Sequence, residues 1–529
     1  MTLSDDTAAE RPRERRRKPL FASSEWTFET LQRTYDAIQE VALNDLGLDV
    51  YPNQIEIISA EQMLDAYASR GLPLMYGHWS FGQRFVREEV LYRKGYAGLA
   101  YEIVINSSPC ISYNMEGNTM ALQALVMAHA AFGHNHFFKT NYLFRQWTDA
   151  EGILEYLEFA KGYIARAEER HGHQQVEALL DAAHAVMDHG VFRYRRPPKL
   201  LTKDREDRER AREEYEALTF RDIWRTLPHR PKRVTAKADG REAAKRKALL
   251  KLPEENLLYF IEKNSPVLED WQREVLRIVR NLAQYFYPQK QTKVMNEGCA
   301  TFVHHYIVNA LYDKGLLTEG AMLEILHNHT NVVFQPEFDD PRYNGINPYA
   351  LGFDMMQDIR RIATEPSEED RQWFPEFAGN GDWRATLKEA WANYRDESFI
   401  LQYLSPRLIR KWRLFVLEDD ARMPYYEVSA IHDELGYRRV RQALARSYDL
   451  SVIEPDIQIV DVDLLGDRQL RLRHQVRDGV PLLESQRDRV LHHLRRLWGY
   501  DVSLEGVDPT TGERFYEVST KRDAADTTG

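Results

Sequence analysis

The sequence predicts a mostly α-helical protein, with a large helical domain that carries a short β-hairpin and zincin-like features, followed by a small C-terminal α+β domain. Three observations point there. Apolar residues recur at helical spacing over most of the chain up to about Lys411, one β-branched and aromatic stretch interrupts them, and beyond about Phe415 strand-like and helix-like periods alternate. At 529 residues and 43% hydrophobic, the chain can bury a large core, divided among two or three domains.

In chain order, residues 1–23 are charged and poor in apolar side chains, and read as a disordered basic tail. The first half of the helical core spans 24–198. It opens with Ser23 or Ser24 as a cap before Trp26, Leu31, Tyr35, Ile38 and Val41 at helical spacing. "EGILEYLEFAKGYIARAEERHG" and "QQVEALLDAAHAVMDHGV" read as helices closed by glycine. In "YAGLAYEIVINSSPCISYNM", the Ser-Ser-Pro break between β-formers predicts the hairpin. Residues 199–250 are densely charged and read as an exposed helix and a linker or surface excursion.

The second half of the helical core spans 251–414 and includes the helical stretch "NEGCATFVHHYIVNALYDKG". A segment rich in Asn, Pro and Gly, "NHTNVVFQPEFDDPRYNGINPYALGFDM", reads as an ordered loop lining a cleft. Residues 415–520 form the small domain, with the expected order β-α-β-β-α-β-β and an antiparallel sheet.

Composition excludes several functions. No run approaches the ~18–20 uncharged apolar residues of a bilayer span. "RPRERRRKP" is followed by "LFASSEWTFETL" rather than an apolar signal core, so a cytoplasmic protein is expected. A net charge of −11 argues against nucleic acid as a specific partner. Only Cys110 and Cys299 are present, so any metal must be held by histidines and carboxylates.

The stretch "MAHAAFGHNHFF" places His129, His134 and His136 within eight positions. Helical zinc sites of the His-Glu-x-x-His type put two histidines four apart on one face, with the Glu as base. Here the gap is five and Ala130 stands where the Glu would be, so that motif is absent. Five residues turn about 140° on a regular helix, whereas a π-bulge would return both histidines to one face, eased by Gly133. The alternative is a packed His129 and imidazoles favoured at a helix C-terminus.

Downstream, Glu297 and His304 in "MNEGCATFVHHY" are seven apart, so they share a helical face while standing about 10.5 Å apart along the axis. That favours Glu297 as a metal ligand and His304 as a group behind the ligands or beside the transition state. "NEGxA" is similar to the helix that supplies the third ligand in glutamate zincins, and Gly133-His134 resembles the close of their first motif. The missing base would come from Glu102 in "AYEIVIN" or Glu116 in "NMEGNTM". Alternatively, Glu102 pairs with an arginine such as Arg84. Structural roles are expected for His78, His184, His189, His327, His329 and His432. "EERH" at Glu168–His171 raises a di-iron bundle site, but no convincing second copy exists.

Long blocks, among them "YEIVINSSPCISYNMEGNTM", "HAAFGHNHFFKTNYLFRQWTDA", "QKQTKVMNEGCATF" and "HTNVVFQP", closely resemble the stage V sporulation protein R (SpoVR) family from about residue 25 to 510. The resemblance carries over His129, Gly133-His134-Asn135, Asn296-Glu297-Gly298 and His304, while His136 and His305 depart from it. It implies a link to spore cortex formation or stress physiology, and partnership with a serine protein kinase of the AAA type and a von Willebrand factor A-like protein.

Together these readings predict a divalent metal, zinc by its donor set, on His129, His134 and Glu297, with Glu102, Glu116 and His304 serving catalysis. The reaction expected is hydrolysis of a peptide or peptidoglycan-related amide. The competing expectation is a non-enzymatic scaffold for the kinase and its partner.

Overall fold

The computed structural model describes residues 18–68, 75–80, 102–193, 250, 252–418, 424, 427–428, 433–463 and 466–520. Nearly all of the expected 199–250 excursion lies outside them. Contacts divide the chain into two units, Met1–Gly172 with Tyr285–Ile453, and His173–Gln284 with Glu454–Gly529.

These limits differ from the sequence boundaries at 198, 251 and 415. The helix Glu434–Tyr448 belongs with the first unit because Tyr437, Val440 and Ala445 enter its core and the helix packs on Asp396–Tyr403. Order also begins earlier than expected. Leu20 and Phe21 are buried, and the Leu20 amide donates to the Leu316 carbonyl at 2.9 Å.

In the first unit, α1 (Phe28–Glu40) is capped by Thr27 rather than by Ser23 or Ser24, through a reciprocal pair with Thr30. The chain stays non-helical to that point, tied down where the Trp26 indole donates to the Glu116 carbonyl and the Ser24 carbonyl accepts from the Met120 amide. The expected hairpin is present as β2 (Glu102–Ile105) antiparallel to β3 (Cys110–Met115). An unforeseen strand, β1 (Asn53–Ile58), lies parallel to the other side of β3, giving the order β1-β3-β2.

Helix α2 (Met120–Met127) starts where Thr119 accepts from the Leu122 amide, and all eight of its residues are buried. A helix buried on every side, with its one polar side chain Gln123 bonded to Asn114 and the Met115 carbonyl, belongs in the middle of a core. It runs without a break into a π-helical segment, Ala128–His134, and back to α-helix at Asn135–Thr140.

Helix α3 (Lys293–Asp313) crosses this π segment, and α4 (Glu319–Val332) and α5 (Pro348–Thr364) complete the surround. The crossings require glycine. A Cβ on Gly133 would stand 2.5 Å from the Ala300 Cα, and one on Gly352 would stand 2.2 Å from the Val294 carbonyl oxygen. Gly133 thus serves the close approach of two backbones, a stronger demand than the easing of a bulge. Asp396 accepts from the Val294 and Met295 amides, both at 2.9 Å, and so caps α3 from another element.

Still in the first unit, β4 (Leu417–Glu418) and β5 (Glu427–Val428) form a two-residue antiparallel pair. The second unit contains the helices His173–Ala185, Leu257–Asn264 and Glu484–Trp498 and the sheet β6 (Asp456–Val462), β7 (Leu470–Gln475), β8 (Val502–Val507), β9 (Arg514–Ser519). The sheet is mixed, not antiparallel. β7 and β8 run parallel because Glu484–Trp498 carries the chain back across the sheet between them.

Candidate metal centre

Within the π segment, His129 and His134 present their rings edge to face with centroids 4.7 Å apart. The wider turn achieves this, since a regular helix would separate the rings by about 140°. From α3, Glu297 reaches the same place: its Oε2 lies 3.9 Å from His129 Nε2 and 3.5 Å from His134 Nε2. One ligand atom from each of the three falls within 4.8 Å of the others, the one such group of three among the described residues. Donors about 2 Å from one ion stand roughly 3–4 Å apart, so contraction by about an ångström completes the set.

The donor chemistry fits a divalent cation. Glu297 Oε2 is buried and has no hydrogen-bond partner, which is costly for a carboxylate oxygen unless a cation meets it. His134 Nδ1 lies 2.9 Å from Asn296 Oδ1, an acceptor, so Nδ1 carries the proton and the Nε2 lone pair faces Glu297. Burial, and next the neighbouring His134, holds the pKa of His129 well below that of a free imidazole, which keeps the ring neutral. Two imidazoles and a carboxylate form a set that His/Glu zinc sites use.

Behind the cluster runs a chain of imidazoles. His129 Nδ1 is 2.9 Å from His304 Nδ1, and His304 Nε2 is 2.8 Å from His329 Nδ1 on α4. Burial, first of all, lowers the pKa of both His304 and His329, the latter to about 4. Against the His129 ring, Tyr349 from the first turn of α5 stacks at 6.3 Å with the rings 17° from parallel.

The three expected ligands therefore converge, whereas the expected catalytic groups separate. Glu102 projects from the start of β2 with Oε1 3.8 Å from His129 Nε2. Burial, then the charge of Glu297, pushes its carboxyl up to about 8. The alternative partner Arg84 lies outside the described residues. Glu116 is exposed in the turn after β3, where its backbone amide donates to Ile58, and no contact among the described residues brings it to the cluster. His304 has both ring nitrogens engaged by other histidines, so it has no free donor for a reacting group.

The remaining histidines sort by their surroundings. His136 binds the Asp49 backbone through Nδ1 and sits edge-on to Trp391. His305 packs against His329 and Phe353. His78 bonds Ser80, His327 is exposed, and His432 lies outside the described residues. His184 and His189 belong to the second unit, and Glu168–His171 ends the helix Ile153–His171. Sequence reasoning missed the parts played by His329, Asn296 and Tyr349. Asn296, directly before Glu297, stood in plain view as the residue that orients His134. Nothing in the spacing tied His329 to His304, because the two lie on different helices.

The family described as SpoVR like protein matches residues 25–453, and the SpoVR-like C-terminal domain matches residues 455–509. The junction between the matches falls where the last structural division falls, at Ile453 and Glu454. The chain is 55% identical over 481 residues to the Escherichia coli (strain K12) protein named "Uncharacterized protein YcgB", covering 91% of this chain and 92% of that one. No solved structure matches the chain. Matches along almost its whole length, together with one closely similar relative, show that the chain belongs to the SpoVR family.

Proposed function

We propose that this protein is a metal-dependent hydrolase, with His129, His134 and Glu297 holding a divalent ion, zinc by preference, and with a peptide or peptidoglycan-related amide as substrate. The observation that carries the reading is the meeting of two lone-pair-bearing imidazole nitrogens with a buried carboxylate oxygen that has no other partner. Such an ion, when bound, supplies a Lewis acid that activates water and polarises a carbonyl.

The protein's own groups do the rest. Asn296 fixes the His134 ring by accepting from Nδ1, so Nε2 keeps its direction. Glu102, reaching in from the sheet, is the carboxyl placed to exchange a proton with water and the leaving amine, since the charge of a bound cation would offset the burial that otherwise keeps it protonated. Tyr349 stacks on one side of the His129 ring and helps hold its orientation. Glu116 and His304 drop out of the reacting set, the first by exposure and the second because its nitrogens are already bonded.

The test is hydrolysis of peptide and peptidoglycan stem-peptide amides by zinc-loaded protein. The hydrolase reading expects turnover that falls ~10²–10⁴-fold in Glu102→Gln while metal content stays unchanged. A loaded protein that cleaves no amide favours the scaffold reading, in which the family resemblance supplies a kinase and a von Willebrand A-like protein as partners. Among the described residues no helix is long and apolar enough to cross a membrane.

A further inference from the structure

The three-histidine chain has a direction. For His129 to offer the Nε2 lone pair toward Glu297, its proton must sit on Nδ1, where His304 Nδ1 at 2.9 Å accepts it beside the neighbouring Ala300 backbone. His304 then carries its own proton on Nε2 and donates it to His329 Nδ1, which leaves the His329 proton on Nε2. The opposite polarity satisfies the same two distances. In it, His329 donates to His304 and His304 donates to His129. His129 is then left with an N–H on Nε2, aimed at Glu102 and Glu297, 3.8 and 3.9 Å away. Only the first polarity leaves His129 able to bind a cation.

We infer that His304 and His329 are positioning residues that hold His129 in its metal-binding tautomer, so that loading of the centre sets the tautomer of His329, two imidazoles away on a different helix. This rests on the metal reading of the site. It adds a residue and a physical link which that reading does not contain.

The packing supports a dedicated chain. His304 is 1% exposed and lies on the fully buried side of α3, where a polar ring is costly unless both nitrogens are matched. His329 matches one of them and is held between His305, with centroids 4.9 Å apart, and Phe353, also at 4.9 Å. Changing the polarity takes one proton in at His129 Nε2, shifts one across each of the two links, and releases one at His329 Nε2. All three rings are neutral before and after.

The test uses the full-length protein, with Co²⁺ and Zn²⁺ as probes. His329→Phe keeps an aromatic ring in the packing but removes the acceptor, whereas His329→Asn offers a carbonyl oxygen at the short reach of Nδ1. The expected result is Co²⁺ affinity weakened ~10–100-fold in His329→Phe, with an altered cobalt absorption spectrum, and restored to within about threefold of wild type in His329→Asn. In zinc-loaded wild-type protein, nitrogen-15 spectra of the histidine rings should show the proton on Nδ1 of His129 and on Nε2 of both His304 and His329. This second measurement decides the matter even if His329→Phe does not fold.

Equal Co²⁺ affinity in all three proteins, or a loaded wild-type protein with His329 protonated on Nδ1, overturns the chain and leaves the metal centre standing. Failure of wild-type protein to bind either ion overturns the centre itself, and the chain with it.

Discussion

The π segment Ala128–His134 and the regular helix α3 meet at one point yet solve opposite geometric problems. The first brings two histidines five residues apart onto one face, and only a widened turn does so. The second keeps Glu297 and His304 on one face while about 10.5 Å of helix rise separates them, so they cannot share a task. Glu297 joins the cluster and His304 stands behind His129. Distortion converges side chains, whereas regularity layers them.

The comparison breaks most severely where the α3 backbone is touched, by the π segment at Gly133 and by α5 at Gly352. Gly133→Val or Gly352→Val places atoms inside the α3 backbone contact, and unfolding by heat or denaturant should show a loss of about 3 kcal/mol or more. Next comes the regular helix's own support. Asp396→Ala strips the acceptor from two buried amides and should cost about 2–4 kcal/mol in denaturant titration.

Asp396 also sets a pH dependence. Burial pushes its pKa up to about 8 despite the amides that favour the charged form. A carboxyl raised in the folded state contributes stability that is full below its unfolded pKa near 4 and is lost as pH rises through about 8. Wild-type stability should fall across that window, and Asp396→Ala should lack that slope.

A smaller effect tests the π segment. Asn296→Ala releases the His134 ring and should weaken zinc affinity ~10–100-fold, read by competition with a chelator, with little change in unfolding midpoint. The smallest change sets the scale for the glycines. Gly320 opens α4 with nothing within 4 Å of an added Cβ, so Gly320→Ala should stabilise by up to about 1 kcal/mol. If Gly320→Ala and Gly352→Val had similar effects, the crossing would not be what holds these helices.

Much of this geometry was legible because spacing is local. The five-residue gap between His129 and His134 implied a distorted helix, the seven-residue gap between Glu297 and His304 implied one face at two heights, and Ser-Ser-Pro marked the hairpin. What remained hidden depends on contacts remote in sequence. Gly133 reads as a local softener until Ala300 arrives against it, and His329 reads as a structural residue until α4 packs beside α3. Strand β1 was missed because "NQIEII" is too short to declare a period, and its partner β3 lies over 50 residues on. The tail was cut too late because Leu20 and Phe21 follow a dense basic run that masks two core residues.

The most direct measurement is metal content and affinity of the purified full-length protein, compared with His134→Ala and Glu297→Ala variants whose folding is verified by circular dichroism. About one equivalent of a divalent metal, zinc first, is expected in the wild type, and its loss in both variants with the helical signal intact. No metal bound after loading with zinc, cobalt, manganese or iron, or full retention in both variants, would contradict it.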